Sequence, residues 1–173
     1  HNRLDRNDLY RVRLDGSDDP VRLSQGLSGD YYMYDLDVTA DGAWAVIQVD
    51  VSNEPDALYS VPVSGGTPQL LNTTAIGNAR LHYFRLSADS KYVVYRAEED
   101  TSGVWEIYSA RVDGSGSQVK LNGSLAPGGE VKDFDISPNS GRVVYTADQA
   151  TDEVVELYSV PVGGGAPLKL SAP

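Results

Sequence analysis

The sequence predicts an all-β chain of repeated four-stranded antiparallel sheets, and three observations carry that expectation. One phrase is written four times: "DLYRVRLDGSDDPVRLS" from Asp8, "ALYSVPVSGGTPQLLN" from Ala57, "EIYSARVDGSGSQVKLN" from Glu106 and "ELYSVPVGGGAPLKLS" from Glu156. Tyr10, Tyr59, Tyr108 and Tyr158 thus recur at intervals of 49, 49 and 50 residues, and Gly16, Gly65, Gly114 and Gly164 keep the same intervals. A second phrase aligns without a gap at that period, as "VTADGAWAVIQ" from Val38, "LSADSKYVVYR" from Leu86 and "ISPNSGRVVYT" from Ile136. No window sustains a 3.6-residue apolar period, whereas alternation with period two recurs throughout.

Four short strands account for each unit. The first ends in Leu36/Val38, Phe84/Leu86 and Phe134/Ile136, and a turn at 39–42, 87–90 and 137–140 closes it. Asp41, Asp89 and Asn139 suit that turn, because short polar side chains hydrogen-bond nearby backbone and tolerate unusual φ. The second strand, "AWAVI", "YVVY" and "VVY", is apolar on both faces, the pattern of a strand covered on both sides. The third places Tyr10/Val12/Leu14, Tyr59/Val61/Val63, Tyr108/Ala110/Val112 and Tyr158/Val160/Val162 on one face. A Gly-containing turn leads to a short fourth strand centred on Arg22, Leu70, Lys120 and Lys169. Long cations at three of these four positions fit an outer edge guarded against pairing with other chains. Pro62 and Pro161 fall inside the third strand, where a missing N–H would break a ladder bond. The outer strand is therefore expected to pair only beyond them, or around a bulge.

Four antiparallel strands in about 40–50 residues make a β-propeller blade. The turn "SPNSGRVVY" and its variants "SADSKYVVY" and "TADGAWAVI", followed by "ELYSVPVGGG" and "LKLS", resembles the Ser-Pro-Asp-Gly-Lys repeat of TolB-like propellers, relatives of WD-repeat blades. The resemblance runs over the whole chain. It implies the fold more than an activity, since such blades occur in binding proteins, in periplasmic accessory proteins and as the substrate-gating domain of prolyl-oligopeptidase-type peptidases. By resemblance the chain is expected to be a non-catalytic repeat segment that binds a protein or a surface ligand outside the cytoplasm, in the periplasm, at the cell surface or beyond. The alternative is the gating propeller of a prolyl-oligopeptidase-type serine peptidase whose hydrolase domain lies elsewhere in the gene. A lyase-type propeller with a metal in its channel would need several histidines, and the chain has two.

Counting strands gives a half blade over 1–24, holding only a third and a fourth strand, then complete blades over 25–72, 73–122 and 123–173. This partial propeller falls short of a ring, which typically takes about four to eight blades. Leaving Tyr10, Val12 and Leu14 exposed would forfeit about 1.5–3 kcal/mol for each. Missing blades of the same protein are expected to cover that surface, or a second copy whose edge at 8–14 joins its mate across a two-fold axis as a homodimer. His1 in place of Met points to sequence upstream.

Composition narrows the partners. There are 25 acidic and 14 basic residues, a net charge of −11, which opposes binding to nucleic acid or an anionic membrane and favours a cation or a cationic partner. Without cysteine there is no disulfide, no thiolate zinc site and no cysteine nucleophile. No stretch approaches the roughly 20 apolar residues of a membrane helix, so no membrane insertion is expected. Nucleophilic catalysis finds no support: there is no Gly-x-Ser-x-Gly elbow, and a Ser–His–Asp triad would have to form around His82. "DGSGS" at 113–117 lies in a hairpin, without the helix and Lys of a phosphate-binding loop.

Loops joining second to third strands should share one propeller face with the linkers between blades, and that face collects the variable sequence. It holds Asp50, Glu54, Asp56, then Glu98, Glu99, Asp100, then Asp148, Asp152 and Glu153. Such a face suits a basic partner or Ca²⁺, although none of the three loops matches the Asp-x-Asp-x-Asp-Gly pattern. The plainer reading is solvated hairpin tips, and no other cofactor is expected. Trp44 and Trp105 are read as packing anchors rather than ligand platforms, and Trp105, beside one acidic hairpin, is the better ligand candidate of the two. Asp37, Arg85 and Asp135 occupy equivalent inner-strand positions and should meet near the channel as an interblade ion cluster, with Tyr83 and His82 close by. Asn72-Thr73-Thr74 and Asn122-Gly123-Ser124 match the glycosylation sequon in linkers expected to be exposed.

Overall fold

A computed structural model of the chain describes residues 8–27, 31–51, 54–73 and 79–171. His1, the linker stretches 28–30 and 74–78 and the final Ala172 and Pro173 lie outside the described residues, as do the expectations placed on them. Among the described residues there are fourteen strands and no helix. β1 (Tyr10–Arg11) and β2 (Val21–Arg22) form a two-stranded sheet. Three four-stranded antiparallel meanders follow: β3 (Tyr31–Val38), β4 (Trp44–Val51), β5 (Ala57–Pro62) and β6 (Gln69–Leu70); β7 (Leu81–Leu86), β8 (Tyr92–Ala97), β9 (Glu106–Arg111) and β10 (Val119–Lys120); β11 (Val131–Ile136), β12 (Arg142–Ala147), β13 (Glu156–Pro161) and β14 (Leu168–Lys169).

A sheet that lies between two others buries both faces because it is sandwiched. The forward face, toward the next sheet in the chain, carries a small aliphatic triad, and the rear face of the next sheet supplies the larger surface. Val46, Leu58 and Leu71 pack with Leu81, Phe84, Val93, Tyr95, Tyr108 and Val112. One repeat later, Val94, Ile107 and Leu121 pack with Val131, Phe134, Val143, Tyr145, Tyr158 and Val162. Leu9 and Leu23 of the first sheet meet Tyr31, Ile47, Val49 and Val61 in the same way. The double-sided apolar pattern of β4 and β8 follows directly, since these strands belong to two cores at once, whereas β12 enters one core through Val143, Tyr145 and Ala147.

Hydrogen bonds repeat with the packing. The hydroxyls of Thr39 and Ser87 donate to Asp41 and Asp89 at 2.7 Å, and Ser137 to Asn139 at 2.8 Å. Each acceptor also receives a backbone N–H two residues on, from Ala43, Lys91 and Gly141. Neighbouring turns are linked: Asp41 N–H donates to Ser90 Oγ at 3.0 Å and Asp89 N–H to Ser140 Oγ at 2.9 Å. Ser90 and Ser140 hold φ of 63° and 58°, where Gly42 holds 71°. The serines accept left-handed strain and offer in return a hydroxyl that glycine lacks.

Two expectations need correction, and the outer-strand cations gain partners. The outer strand pairs ahead of the proline, not beyond it: Tyr59 faces Leu70 and Ser60 faces Gln69, and Pro62 ends β5 without a bulge there. Val63 N–H donates to Ala43 C=O on the β4 side, so the alternate residue Pro62 directs its nitrogen outward, where no strand pairs and no donor is needed. The outer-strand cations are engaged inward: Arg22 binds Asp8 at 2.6 Å, Lys120 binds Glu106, and Lys169 binds Glu156. Each clamps the outer strand to the first position of the third strand. Asn72 and Asn122 are buried rather than exposed in linkers, and their Oδ1 atoms accept the N–H of Leu58 at 2.8 Å and Ile107 at 3.0 Å.

The same substitution should weigh differently at equivalent positions. Ile107→Ala empties a site covered on both sides and is expected to cost about 2–5 kcal/mol in urea unfolding of dilute protein. Leu157→Ala, one repeat on and uncovered, is expected to cost less than about 1 kcal/mol. Equal costs would show that sandwiching does not set the stability of a sheet.

Candidate functional site

The first strand of each complete sheet shifts register at the same place, between Met33 and Asp35, Leu81 and Tyr83, and Val131 and Asp133. Each bulge turns out one residue, Tyr34, His82 or Lys132, next to the loops that join second to third strands. The phenol of Tyr34 donates to Asp50 at 3.3 Å, and Lys132 Nζ bonds Glu130 at 2.9 Å and Asp148 at 3.2 Å. His82 Nδ1 lies 2.9 Å from Arg96 Nη1. An open cleft of about 530 Å³ between β3–β6 and β7–β10 is lined in part by Tyr34, Asp50, Asp56, Arg80 and His82.

The expected carboxylates divide into two groups. Glu54, Asp100, Asp152 and Glu153 stand exposed and Asp50 is half-buried, while Glu98, Glu99 and Asp148 are buried, which overturns the reading as solvated tips for the loops at 98–103 and 148–153. The buried acids satisfy backbone and linker groups. Glu98 receives Gly103 N–H at 2.9 Å and Arg80 at 2.8 Å, and Asp148 receives Glu130 N–H at 2.6 Å. Asp56, half-buried, accepts Leu81 N–H at 2.9 Å, and burial raises its carboxyl above the ordinary range. Among the described residues no three His, Asp or Glu side chains gather as a metal-binding group.

Glu99 is the least compensated of these acids. Its Oε1 accepts Thr73 N–H at 3.1 Å and the Tyr95 hydroxyl at 3.0 Å, while Oε2 accepts no hydrogen bond. One repeat on, Gln149 Oε1 makes the same two contacts, with Gly123 N–H and the Tyr145 hydroxyl, both at 2.9 Å. Lys120, on the outer strand of the same sheet, is committed to Glu106 and Asp100. Burial pushes the Glu99 carboxyl up to about 7; the bonds from Tyr95 and Thr73 and the nearby Gln118 oppose this, and Asp100 adds to it.

Trp105 is a wedge rather than an open platform. Arg96 covers its ring at 4.6 Å and Arg80 at 5.5 Å, with His82 at 5.6 Å. Arg96 also donates to Val131 C=O at 2.6 Å and Glu130 at 3.2 Å, so this cluster ties β7–β10 to β11–β14. Gln48, at the equivalent position, donates to Leu81 C=O at 2.7 Å. Tyr83 stacks on Phe134 at 4.9 Å and donates to Asp133 at 2.5 Å; burial first, then that carboxylate, pushes its hydroxyl to about 12. Arg85 reaches Asp135 at 3.9 Å with both side chains largely exposed, and Asp37 lines the same shallow groove. Sequence reasoning missed Tyr34, Arg80, Arg96 and Lys132. The bulge that presents Tyr34 and Lys132 has no composition signal, whereas the equivalence of Gln48 and Arg96 was visible in the repeat.

No protein-family model matches the chain. An uncharacterized protein of Agrobacterium fabrum is 31% identical over 113 residues, which cover 65% of this chain and 36% of that protein. TolB from Acinetobacter baumannii superposes with a TM-score of 0.53 at 17% identity, over 95% of this chain and 37% of that one. An oligogalacturonate lyase in complex with manganese gives 0.65 at 14% identity, over 95% and 47%. The β-propeller domain of the Trilobed protease from Pyrococcus furiosus, described as having an open velcro topology, gives 0.55 at 12% identity, over 82% and 43%. The class is therefore that of β-propellers, here a partial one of three four-stranded sheets and a two-stranded sheet. Within that class the blades have the TolB-like fold.

Glu99 generates a pH-dependent prediction. Its carboxyl binds a proton more tightly folded, at about 7, than unfolded, near the ordinary 4.5. Stability from this site is complete below about pH 4.5 and declines as pH rises toward about 7, where the folded protein must also ionise it. Glu99→Gln should therefore stabilise the protein at pH 8, on the order of 1–3 kcal/mol, and have little effect at pH 4.5. Thermal unfolding of both proteins across that range checks it, and a pH-independent difference would contradict it.

Proposed function

We propose that the chain is a non-catalytic propeller segment that acts as a scaffold for binding a protein or ligand outside the cytoplasm. The observation that supports this best is the contrast within the loop-bearing face. Buried Glu98, Glu99 and Asp148 and half-buried Gln149 fasten loops and linkers to the sheets, while Glu54, Asp100, Asp152 and Glu153 project from that fastened surface. A rigid acidic platform costs little entropy on binding and attracts basic partners at long range. The likeness of the blades to TolB supports the extracytoplasmic location. Further blades of the same protein, supplied beyond the sheets described, are the natural cover for the exposed ends of the stack.

A second reading is supported by the fold likeness to the propeller domain of the Pyrococcus furiosus protease. The segment would then gate substrate access to a serine peptidase domain encoded elsewhere in the gene. Hydrolysis of a prolyl-peptide reporter by the gene's complete product would favour this reading.

For the binding role, a synthetic Lys/Arg-rich peptide serves as the probe. It should bind the protein with an affinity that falls as salt rises, and the triple variant Glu54→Lys, Asp152→Lys, Glu153→Lys should bind at least about tenfold more weakly. Unchanged affinity in the variant, or no binding at low salt, would remove the acidic platform as the site.

A further inference from the structure

The three complete sheets carry one buried serine at the same place on the third strand: Ser60, Ser109 and Ser159, paired with Val46, Val94 and Val144 of the second strand. In β11–β14 that serine has a side-chain partner. Arg142, at the head of β12, donates from Nε to Ser159 Oγ at 2.7 Å and from Nη2 to Ser159 C=O at 3.1 Å. In β7–β10 the equivalent position at the head of the second strand holds Tyr92. Ser109 is 2% exposed there, and its hydroxyl has no hydrogen-bond partner among the described residues. A buried hydroxyl left unpaired costs stability, so this position calls for a partner that the chain itself supplies one repeat on.

Ser109 opens onto a cavity of about 180 Å³ between β7–β10 and the hairpin that follows β13, lined in part by Tyr92, Arg111, Ser117, Val119 and Gly163. The cavity lies between two complete sheets, away from either end of the stack. Gly163 helps to keep it open, since a Cβ there would sit 3.3 Å from the Tyr92 hydroxyl. Arg111 stands directly across from Tyr92, but its guanidinium turns to Asp113 at 3.1 Å, which also balances its charge. In β3–β6 the serine, Ser60, is likewise unpartnered among the described residues, and Trp44 takes the position of Tyr92 and packs against the adjoining core.

We infer that the cavity binds a guanidinium group, which takes at Ser109 the place that the Arg142 guanidinium takes at Ser159. One N–H donates to the hydroxyl and a second to the carbonyl of the same residue. A planar fork of N–H groups suits two acceptors so placed, and a backbone carbonyl in a sheet ladder keeps a second lone pair for such a bond. The cavity adjoins the hairpin between β9 and β10, at the end of the sheet opposite the loops of the acidic platform. The inference does not rest on that platform, so either can fail alone.

Titration of the protein with ethylguanidinium, followed by amide NMR, tests it. Up to about 20 mM should give saturable shifts at Tyr92, Ser109 and Ser117, whereas ethylammonium at the same concentration should give none. Ser109→Ala should weaken binding at least about tenfold, and Ser60→Ala should leave it unchanged. Tyr92→Arg supplies the group covalently, as Arg142 does, and should abolish binding and raise Tm. Binding of acetyl-Gly-Arg-Gly-amide to the same amides would support the proposal with a partner's arginine as the source, and binding of ethylguanidinium alone would support it with a small free ligand. The absence of a saturable shift would overturn it and leave water as the partner of the hydroxyl. Equal binding of ethylammonium, or wild-type affinity in Ser109→Ala or Tyr92→Arg, would overturn it as well.

Discussion

Everything in this fold depends on each sheet having a neighbour on both sides. The aliphatic triad on the forward face, Val46, Leu58, Leu71 and then Val94, Ile107, Leu121, reaches full burial only against the rear face of the following sheet. Three such side chains at about 1.5–3 kcal/mol each are comparable with the whole stability of a typical domain, about 5–15 kcal/mol. No single sheet is thus a folding unit, and stability is a nearest-neighbour property that runs along the stack. Leu157 and Val12 lie on faces that no described sheet covers, and they are exposed although their repeats are not.

The polar network obeys the same constraint. Bringing sheets close enough to share a core forces the linkers between them through partly buried ground, where each backbone N–H needs an acceptor. The chain supplies acceptors from fixed repeat positions: Ser24, Asn72 and Asn122 for the N–H of Leu9, Leu58 and Ile107, and Glu99 and Gln149 for Thr73 and Gly123. An amide does this without charge. A carboxylate does it better only if something offsets the cost of burying it, and at Glu99 little does. The acidic composition of the chain therefore overstates the charge of its surface, because part of that acidity is backbone chemistry.

This explains which features were legible in the sequence. Strand identity, strand order and the sheet count follow from two period-two phrases and one turn, since burial on both faces and a tight polar turn leave composition signals at every repeat. The outer-strand cations were visible as well, but their partners were not. Asp8, Glu106 and Glu156 sit at the head of the third strand, and only the register Tyr10↔Arg22, Tyr108↔Lys120 and Tyr158↔Lys169 brings each acid beside its cation. Pro62 misled because the direction of one missing N–H depends on strand parity, which sequence spacing does not set. The burial of Glu98, Glu99 and Asp148 was hidden because a hairpin loop in sequence looks solvated, whereas here it is covered by the linker that follows the preceding outer strand.

The site's chemistry is likewise placed by a device with no sequence signature. A bulge at one point of each first strand turns Tyr34, His82 or Lys132 toward the loop face, and the scaffold around it is nearly invariant from sheet to sheet. What changes is the residue presented, aromatic, then imidazole, then ammonium, together with its partner: Asp50 for Tyr34, Arg96 for His82, Asp148 for Lys132. Constancy in the cores and variation at the bulges are two consequences of one geometry. The forward and rear faces must fit each other at every junction, so they repeat, while the bulged position lies outside both cores and is free to differ. A surface built this way can change what it recognises without altering a single packed residue, and variation confined to positions 34, 82 and 132 would leave every interblade contact of the aliphatic triads in place.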